Sequence, residues 1–130
     1  MLAGHPIDPM LLATDLAAAR GVYGDRTGLE VLIESDDFLT FACGGASRLV
    51  VTRSSTGSGD PQTKASWRVD DLAAEIADLR SRGVEVEAYD EPGLKTVDGI
   101  ADVGFALCAW IVDPHGNSIG LLQFKDADPH

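Results

Sequence analysis

Basic residues are scarce in this chain: 10 Lys and Arg stand against 21 Asp and Glu over 130 residues, a formal net charge of −11. A nucleic-acid-binding surface would be basic, so the balance excludes that class. Otherwise it speaks to solubility rather than fold. No stretch approaches the roughly 20 apolar residues of a membrane span. The start, Met1-Leu2-Ala3-Gly4-His5-Pro6, has no basic residue ahead of an apolar run, so no signal peptide is expected there. The two cysteines, Cys43 and Cys108, lie in strand-like runs, where a thiol behaves as a small apolar residue. A reduced, cytoplasmic pair is therefore expected. Cys-x-x-Cys, a Gly-rich phosphate loop and His-Glu-x-x-His are all missing. The three histidines form no ligand set: His115 falls in a turn, His5 and Asp8 would face opposite sides of a strand, and His130 is in the terminal tail.

What the chain does have is a repeat. Asp15-Leu16-Ala17-Ala18 recurs as Asp71-Leu72-Ala73-Ala74, and Gly28-Leu29-Glu30-Val31 recurs as Gly83-Val84-Glu85-Val86, in the same order and at nearly the same offset. In each half a short strand, ending at Thr14 or Asp70, leads to an aspartate suited to capping a helix N-terminus. In the second helix Leu72, Ile76 and Leu79 make one apolar stripe, Asp78 and Arg82 pair at i,i+4, and Gly83 supplies a left-handed stop. The first helix carries Leu16, Ala19 and Tyr23 on a stripe and stops near Gly28; Gly21 and Gly24 weaken it by about 1 kcal/mol each relative to Ala.

Three strands are expected after each helix: Leu29–Glu34, Phe38–Cys43 and Arg48–Thr52 in the first half, Val84–Tyr89, Phe105–Val112 and Ser118–Phe124 in the second. Asp113-Pro114-His115-Gly116-Asn117 reads as a hairpin turn, with Pro fixing φ and Gly and Asn tolerating positive φ. Ser54–Thr63 is Ser/Gly/Thr/Pro-rich and reads as a linker. Glu91–Gly104 is a long connection of the kind that is often functional, and Lys125–His130 reads as a frayed tail.

Two βαβββ modules joined by a linker resemble the vicinal oxygen chelate superfamily, which includes glyoxalase I, extradiol dioxygenases, fosfomycin-resistance enzymes and bleomycin-resistance proteins. Three segments carry the resemblance: Met10-Leu11-Leu12-Ala13-Thr14-Asp15-Leu16, Ser66-Trp67-Arg68-Val69-Asp70-Asp71-Leu72, and Trp110-Ile111-Val112-Asp113-Pro114-His115-Gly116-Asn117-Ser118-Ile119. Pro92–Ile100 is also similar to a loop of bacterial members. The resemblance implies an α+β fold in which two modules, at about 8–53 and 64–124 with a linker at 54–63, form a cupped mixed β-sheet with helices on its outer face, all within one glyoxalase-like domain. It also implies a divalent metal in the cup, held at positions that fall here on Asp8, Lys64, Gly120 and near Val50. Of these only Asp8 offers a ligating side chain; an ammonium cannot ligate, and Gly and Val have no donor. No metal and no cofactor are expected.

Strand alternation sorts the residues into two faces. One reads Leu11, Ala13, Leu49, Val51, Ala65, Trp67, Val69, Ile111, Ile119 and Leu121, as a helix-covered face should. The other reads Asp8, Met10, Leu12, Arg48, Val50, Thr52, Lys64, Ser66, Arg68, Cys108, Trp110, Ser118, Gly120 and Leu122. Apolar walls with a few placed polar groups suit a ligand. With a five-residue turn, Trp110 pairs with Gly120, and the indole is expected to lie against the glycine. The expected function is a metal-free small-molecule-binding protein whose ligand, neutral or anionic, meets Asp8, Arg48, Lys64, Ser66, Arg68, Trp110 and Gly120. An enzyme of the same superfamily (lyase, isomerase or dioxygenase) and a drug-sequestering resistance protein are the alternatives. For the enzyme, the acid–base pair on offer is Asp8 with Lys64, with Tyr89, Asp98 and His115 reachable only if loops fold over. A homodimer is expected, because a single four-stranded sheet leaves exposed edges.

Overall fold

The computed structural model describes residues 1–56 and 62–125 and divides into two units: Met1–Gln62 with Asp113–Asn117, and Thr63–Val112 continued from Ser118. Each has the same α+β plan, a helix beside a four-stranded mixed sheet.

In the first unit, β1 (Met10–Ala13) leads to α1 (Leu16–Arg20), followed by β2 (Val31–Glu34), β3 (Phe38–Ala42) and β4 (Arg48–Arg53). The sheet order is β1-β4-β3-β2, with β1 parallel to β4 and the other pairs antiparallel. Asp15 caps α1, its carboxylate accepting from the amides of Ala17 (3.0 Å) and Ala18 (3.3 Å). The helix does not run evenly to Gly28. From Gly21 to Arg26 it widens into a π-helical turn, the amide of Thr27 bonding to the Val22 carbonyl. Gly21 and Gly24 lie where helix propensity is lowest, and a wider turn is one way that strain resolves. The apolar stripe survives: Ala19 and Tyr23 are both fully buried, as are Leu11, Ala13, Leu39, Phe41, Leu49 and Val51.

In the second unit, β5 (Thr63–Arg68) leads to α2 (Leu72–Ser81) and then to the short hairpin of β6 (Asp90–Glu91) and β7 (Leu94–Lys95). The two-residue strand β8 (Ala101–Asp102), β9 (Ala106–Val112) and β10 (Ser118–Phe124) complete it. The sheet order is β5-β10-β9-β8, with β5 parallel to β10. Asp71 caps α2 through the Ala74 amide (3.1 Å), the Gln123 side chain accepts from the Leu72 amide (2.7 Å), and Asp78 pairs with Arg82 at 3.0 Å. Gly83 takes φ 81 at the helix end. Leu72, Ile76 and Leu79 are buried, and the helix packs on β9 and β10, whose Ala109, Ile111, Ile119 and Leu121 are buried too.

The expected strand Val84–Tyr89 is not a ladder strand. The segment makes one backbone bond to β9, from the Glu87 amide to the Trp110 carbonyl (2.8 Å), and then leaves the sheet. β8 resumes the pairing, Ala101 opposite Cys108 and Asp102 opposite Leu107. The excursion between them is built of tight turns rather than a slack loop. Pro92-Gly93 joins β6 to β7, and Asp98-Gly99, at φ 53 and 83, closes a bridge between Val97 and Ile100. Proline–glycine and aspartate–glycine pairs are the turn formers that permit this. Gly99 is required twice over, since a Cβ there would also lie 2.8 Å from Val86 Cγ1. Lys125, expected in a frayed tail, is tied down by its ammonium on Asp102 (2.7 Å) and its amide on the Phe105 carbonyl (3.1 Å). The rest of that tail, and residues 57–61 of the expected linker, lie outside the described residues.

Candidate functional site

Three rows of residues cross the second sheet on the face away from α2: Thr63–Ser118–Val112, Ser66–Gly120–Trp110 and Arg68–Leu122–Cys108. On the opposite face Ala109, Ile111, Ile119 and Leu121 are buried and Ala65 and Trp67 half-buried, whereas on this face Ser66 and Arg68 are exposed and Trp110 is half-buried. Five of the expected ligand-binding residues, Lys64, Ser66, Arg68, Trp110 and Gly120, therefore stand on two adjoining strands and their neighbour. Asp8 and Arg48 stand in the first unit, both exposed, Asp8 ahead of β1 and Arg48 at the start of β4 opposite Ala42. Glu34, a residue of that sheet, pairs with Arg20 at 3.3 Å.

The register has one irregularity. Ser118 pairs with Thr63 but Ile119 pairs with Ala65, which makes Lys64 the extra residue of a β-bulge. Plain alternation groups Lys64 with Ser66 and Arg68. The bulge instead brings Thr63 into the row system, its Cγ2 3.4 Å from where a Cβ on residue 120 would stand.

Trp110 and Gly120 pair as the turn length requires. The indole also has an aromatic partner. The atoms nearest to a Cβ on residue 120 are Ser66 Oγ at 2.7 Å, Thr63 Cγ2 at 3.4 Å and Ser66 Cβ at 3.5 Å. The indole meets the Tyr89 ring edge to face, at 5.6 Å and 84°. Tyr89 is held at the neck of the excursion: Thr96 Oγ1 accepts from its amide (2.9 Å), and its carbonyl accepts from the Thr96 amide (2.9 Å). Burial pushes the Tyr89 hydroxyl above the ordinary tyrosine range, and Glu87 and Glu91 push the same way. It is therefore a protonated donor at neutral pH. Among the described residues, Ser66 Oγ, the Trp110 indole N–H and the Tyr89 hydroxyl make no hydrogen bond. Burial also pushes the Cys108 thiol up, which removes thiolate character and leaves it a packing residue.

The turn 113–117 has a structural role that reading it as a turn did not reveal. Asp113, 6% exposed, accepts from the Tyr23 hydroxyl (2.8 Å), the Asn117 side-chain amide (2.8 Å) and the backbone amides of His115 and Asn117 (both 2.9 Å). Asn117 also donates to the Leu12 carbonyl (2.8 Å). Only Gly116 of the turn takes positive φ; Asn117 serves through its side chain. His115 spends its ring nitrogens on Thr14 Oγ1 (3.3 Å) and the Asp15 carbonyl (3.1 Å), so it anchors the turn.

The divalent metal that the resemblance implies does not fit these residues. Val50 and Gly120 offer no donor, Lys64 is an ammonium on a bulge, and among the described residues no three His, Cys, Asp or Glu side chains converge on one point. A groove of about 580 Å³ runs along the β6–β7 hairpin and Asp102, and none of the expected site residues lines it. Among the described residues no helix is long and apolar enough to cross a membrane.

No protein-family model matches the chain, and no curated protein does. Solved structures do. TnmS3, an antibiotic binding protein from Streptomyces sp. CB03234, is 26% identical with a TM-score of 0.72 over 96% of this chain and 99% of that one. A glyoxalase/bleomycin resistance protein/dioxygenase from Alicyclobacillus acidocaldarius is 16% identical, with a TM-score of 0.71 over 95% and 93%. A bleomycin-binding protein complexed with bleomycin is 20% identical, with a TM-score of 0.67 over 92% and 98%. Two units of βαβββ order, each closed by a parallel pairing of first and last strand, give the chain the fold of these antibiotic-binding, bleomycin-binding and glyoxalase/bleomycin resistance/dioxygenase structures.

Proposed function

We propose that this protein binds a small organic molecule without a metal, on the face of the second sheet that carries Ser66, Arg68, Gly120 and Trp110. One observation carries the reading: an exposed hydroxyl, a half-buried indole and the Tyr89 hydroxyl share one neighbourhood with their donors unspent. A large aromatic surface with a few placed donors is how small-molecule sites are built. The three rows contain no carboxylate and include Arg68, which favours a neutral or anionic ligand over a cation. An antibiotic and bleomycin are what two of the fold neighbours bind, which supports a binding role, sequestration included.

The same reading takes the protein as cytoplasmic and homodimeric. Each sheet, taken alone, ends on an outer strand, β1 or β5, with one partner, and pairing of copies would protect such edges. Light scattering at micromolar concentration is expected to give twice the chain mass; a monomer mass would remove the dimer from the proposal. The binding itself is tested by calorimetry with four probes of one shape: 1-naphthoate, 1-naphthyl phosphate, 1-naphthol and 1-naphthylmethylamine. The acid, the phosphate and the alcohol are expected to bind and the amine not. Binding of the amine alone, unchanged in Arg68→Ala, would overturn the charge preference. Turnover of a probe would favour the enzyme alternative.

A further inference from the structure

Ser66 and Gly120 face each other across the parallel pair β5–β10. The space above Gly120 is already taken at one point: a Cβ there would lie 2.7 Å from Ser66 Oγ, closer than such atoms come. The next nearest atoms, Thr63 Cγ2 at 3.4 Å and Ser66 Cβ at 3.5 Å, would be in ordinary contact. The hydroxyl in its present rotamer is therefore what keeps residue 120 bare, and the bare glycine is what leaves that hydroxyl reachable. A glycine inside a strand marks a place where another group approaches closely. The resemblance calls for a metal-binding side chain rooted at this point; an oxygen with a proton to donate stands there instead.

We infer that the Ser66–Gly120 step is a hydrogen-bonding subsite of the same face. Ser66 Oγ donates to an oxygen acceptor of the ligand (carboxylate, phosphate or carbonyl), while the ligand's ring lies along Trp110, and the step takes no divalent cation. This rests on the binding proposal above. Residues 66 and 120 act as one unit: a methyl at 120 meets the Ser66 hydroxyl first and turns it aside, so Gly120→Ala and Ser66→Ala delete the same bond.

Calorimetric titration of the full chain with 1-naphthoate, and separately with zinc or manganese chloride, tests this. Ser66→Ala and Gly120→Ala are each expected to weaken naphthoate binding by about tenfold. The double variant should be no weaker than the single ones, and Ser66→Thr, which keeps the hydroxyl, should retain the affinity. Melting temperatures within a few degrees of the parent show that the fold is intact; if Gly120→Ala unfolds, the contrast of Ser66→Ala with Ser66→Thr decides. Unchanged affinity in Ser66→Ala, or additive losses in the double variant, overturns the subsite and leaves the binding proposal standing. No naphthoate binding by the parent overturns both. One equivalent of zinc or manganese, lost in Ser66→Ala, overturns the exclusion of a cation.

Discussion

Tyr23 donates its hydroxyl proton to Asp113 Oδ2 at 2.8 Å, across 90 positions of chain and with both side chains buried. Asp113 receives three further bonds, so the turn Asp113–Asn117 is fastened within the first unit by one carboxylate. Tyr23→Phe is expected to cost about 1–2 kcal/mol in urea unfolding, the cost of leaving one buried acceptor site short. Asp113→Ala should cost more, about 3 kcal/mol, because it strands the Tyr23 hydroxyl and the Asn117 amide together. Equal, negligible effects would show that the turn is held by its backbone alone.

The same pair sets the alkaline limit. Burial first, and the Asp113 charge and hydrogen bond after it, raise the Tyr23 hydroxyl far above its ordinary value of 10.0. A folded value above the unfolded one means the stabilisation is intact below pH 10 and fades as pH rises beyond it. Absorbance titration at alkaline pH is expected to show Tyr89 ionising first, itself above the ordinary value, and Tyr23 only together with unfolding. Tyr23→Phe should remove the second step. Two tyrosines titrating together in a folded chain would contradict this.

Gly99 is the tightest point of the excursion. Ala there meets both a φ of 83 and Val86 Cγ1 at 2.8 Å. Gly99→Ala is expected to destabilise by about 1–3 kcal/mol. It should also raise amide exchange at Tyr89 and Thr96, whose mutual bonds close the excursion. Asp98→Gly, which relieves φ 53, should be neutral or mildly stabilising. Equal stability of both variants would mean that the excursion is not anchored through this turn.

Much of this fold was legible in the sequence because it is written in local chemistry. The caps at Asp15 and Asp71, the stop at Gly83, the stripe Leu72–Ile76–Leu79 and the Trp110–Gly120 register each follow from residue type and spacing. Most of the helix-covered face also followed from alternation; Leu11, Ala13, Leu49, Val51, Ile111, Ile119 and Leu121 are buried as expected, while Ala65, Trp67 and Val69 are half-buried. What was hidden depends on long-range geometry. The bulge at Lys64 shifts parity by one residue, and nothing in Thr63-Lys64-Ala65 announces it. The split fourth strand turns on whether residues 84–89 or 101–102 pair with β9, and both are short and apolar enough. Tyr89 entered the site through that split. The sequence offered Tyr89 only if loops fold over; Pro92-Gly93 and Asp98-Gly99 were visible as turn formers, and placing two hairpins there would have set it beside Trp110.

The most direct test of the account is the indole N–H signal of Trp110 in a nitrogen-15 NMR titration with 1-naphthoate, assigned with Trp110→Phe and Trp67→Phe. The chain has two tryptophans, one on each face of the second sheet, so each reports on its own side. The account predicts that the Trp110 signal moves saturably while that of Trp67 stays still, and that Ser66→Ala weakens the response. A shift at Trp67 alone, or no saturable shift at Trp110 with any of the anionic or neutral probes, would contradict it.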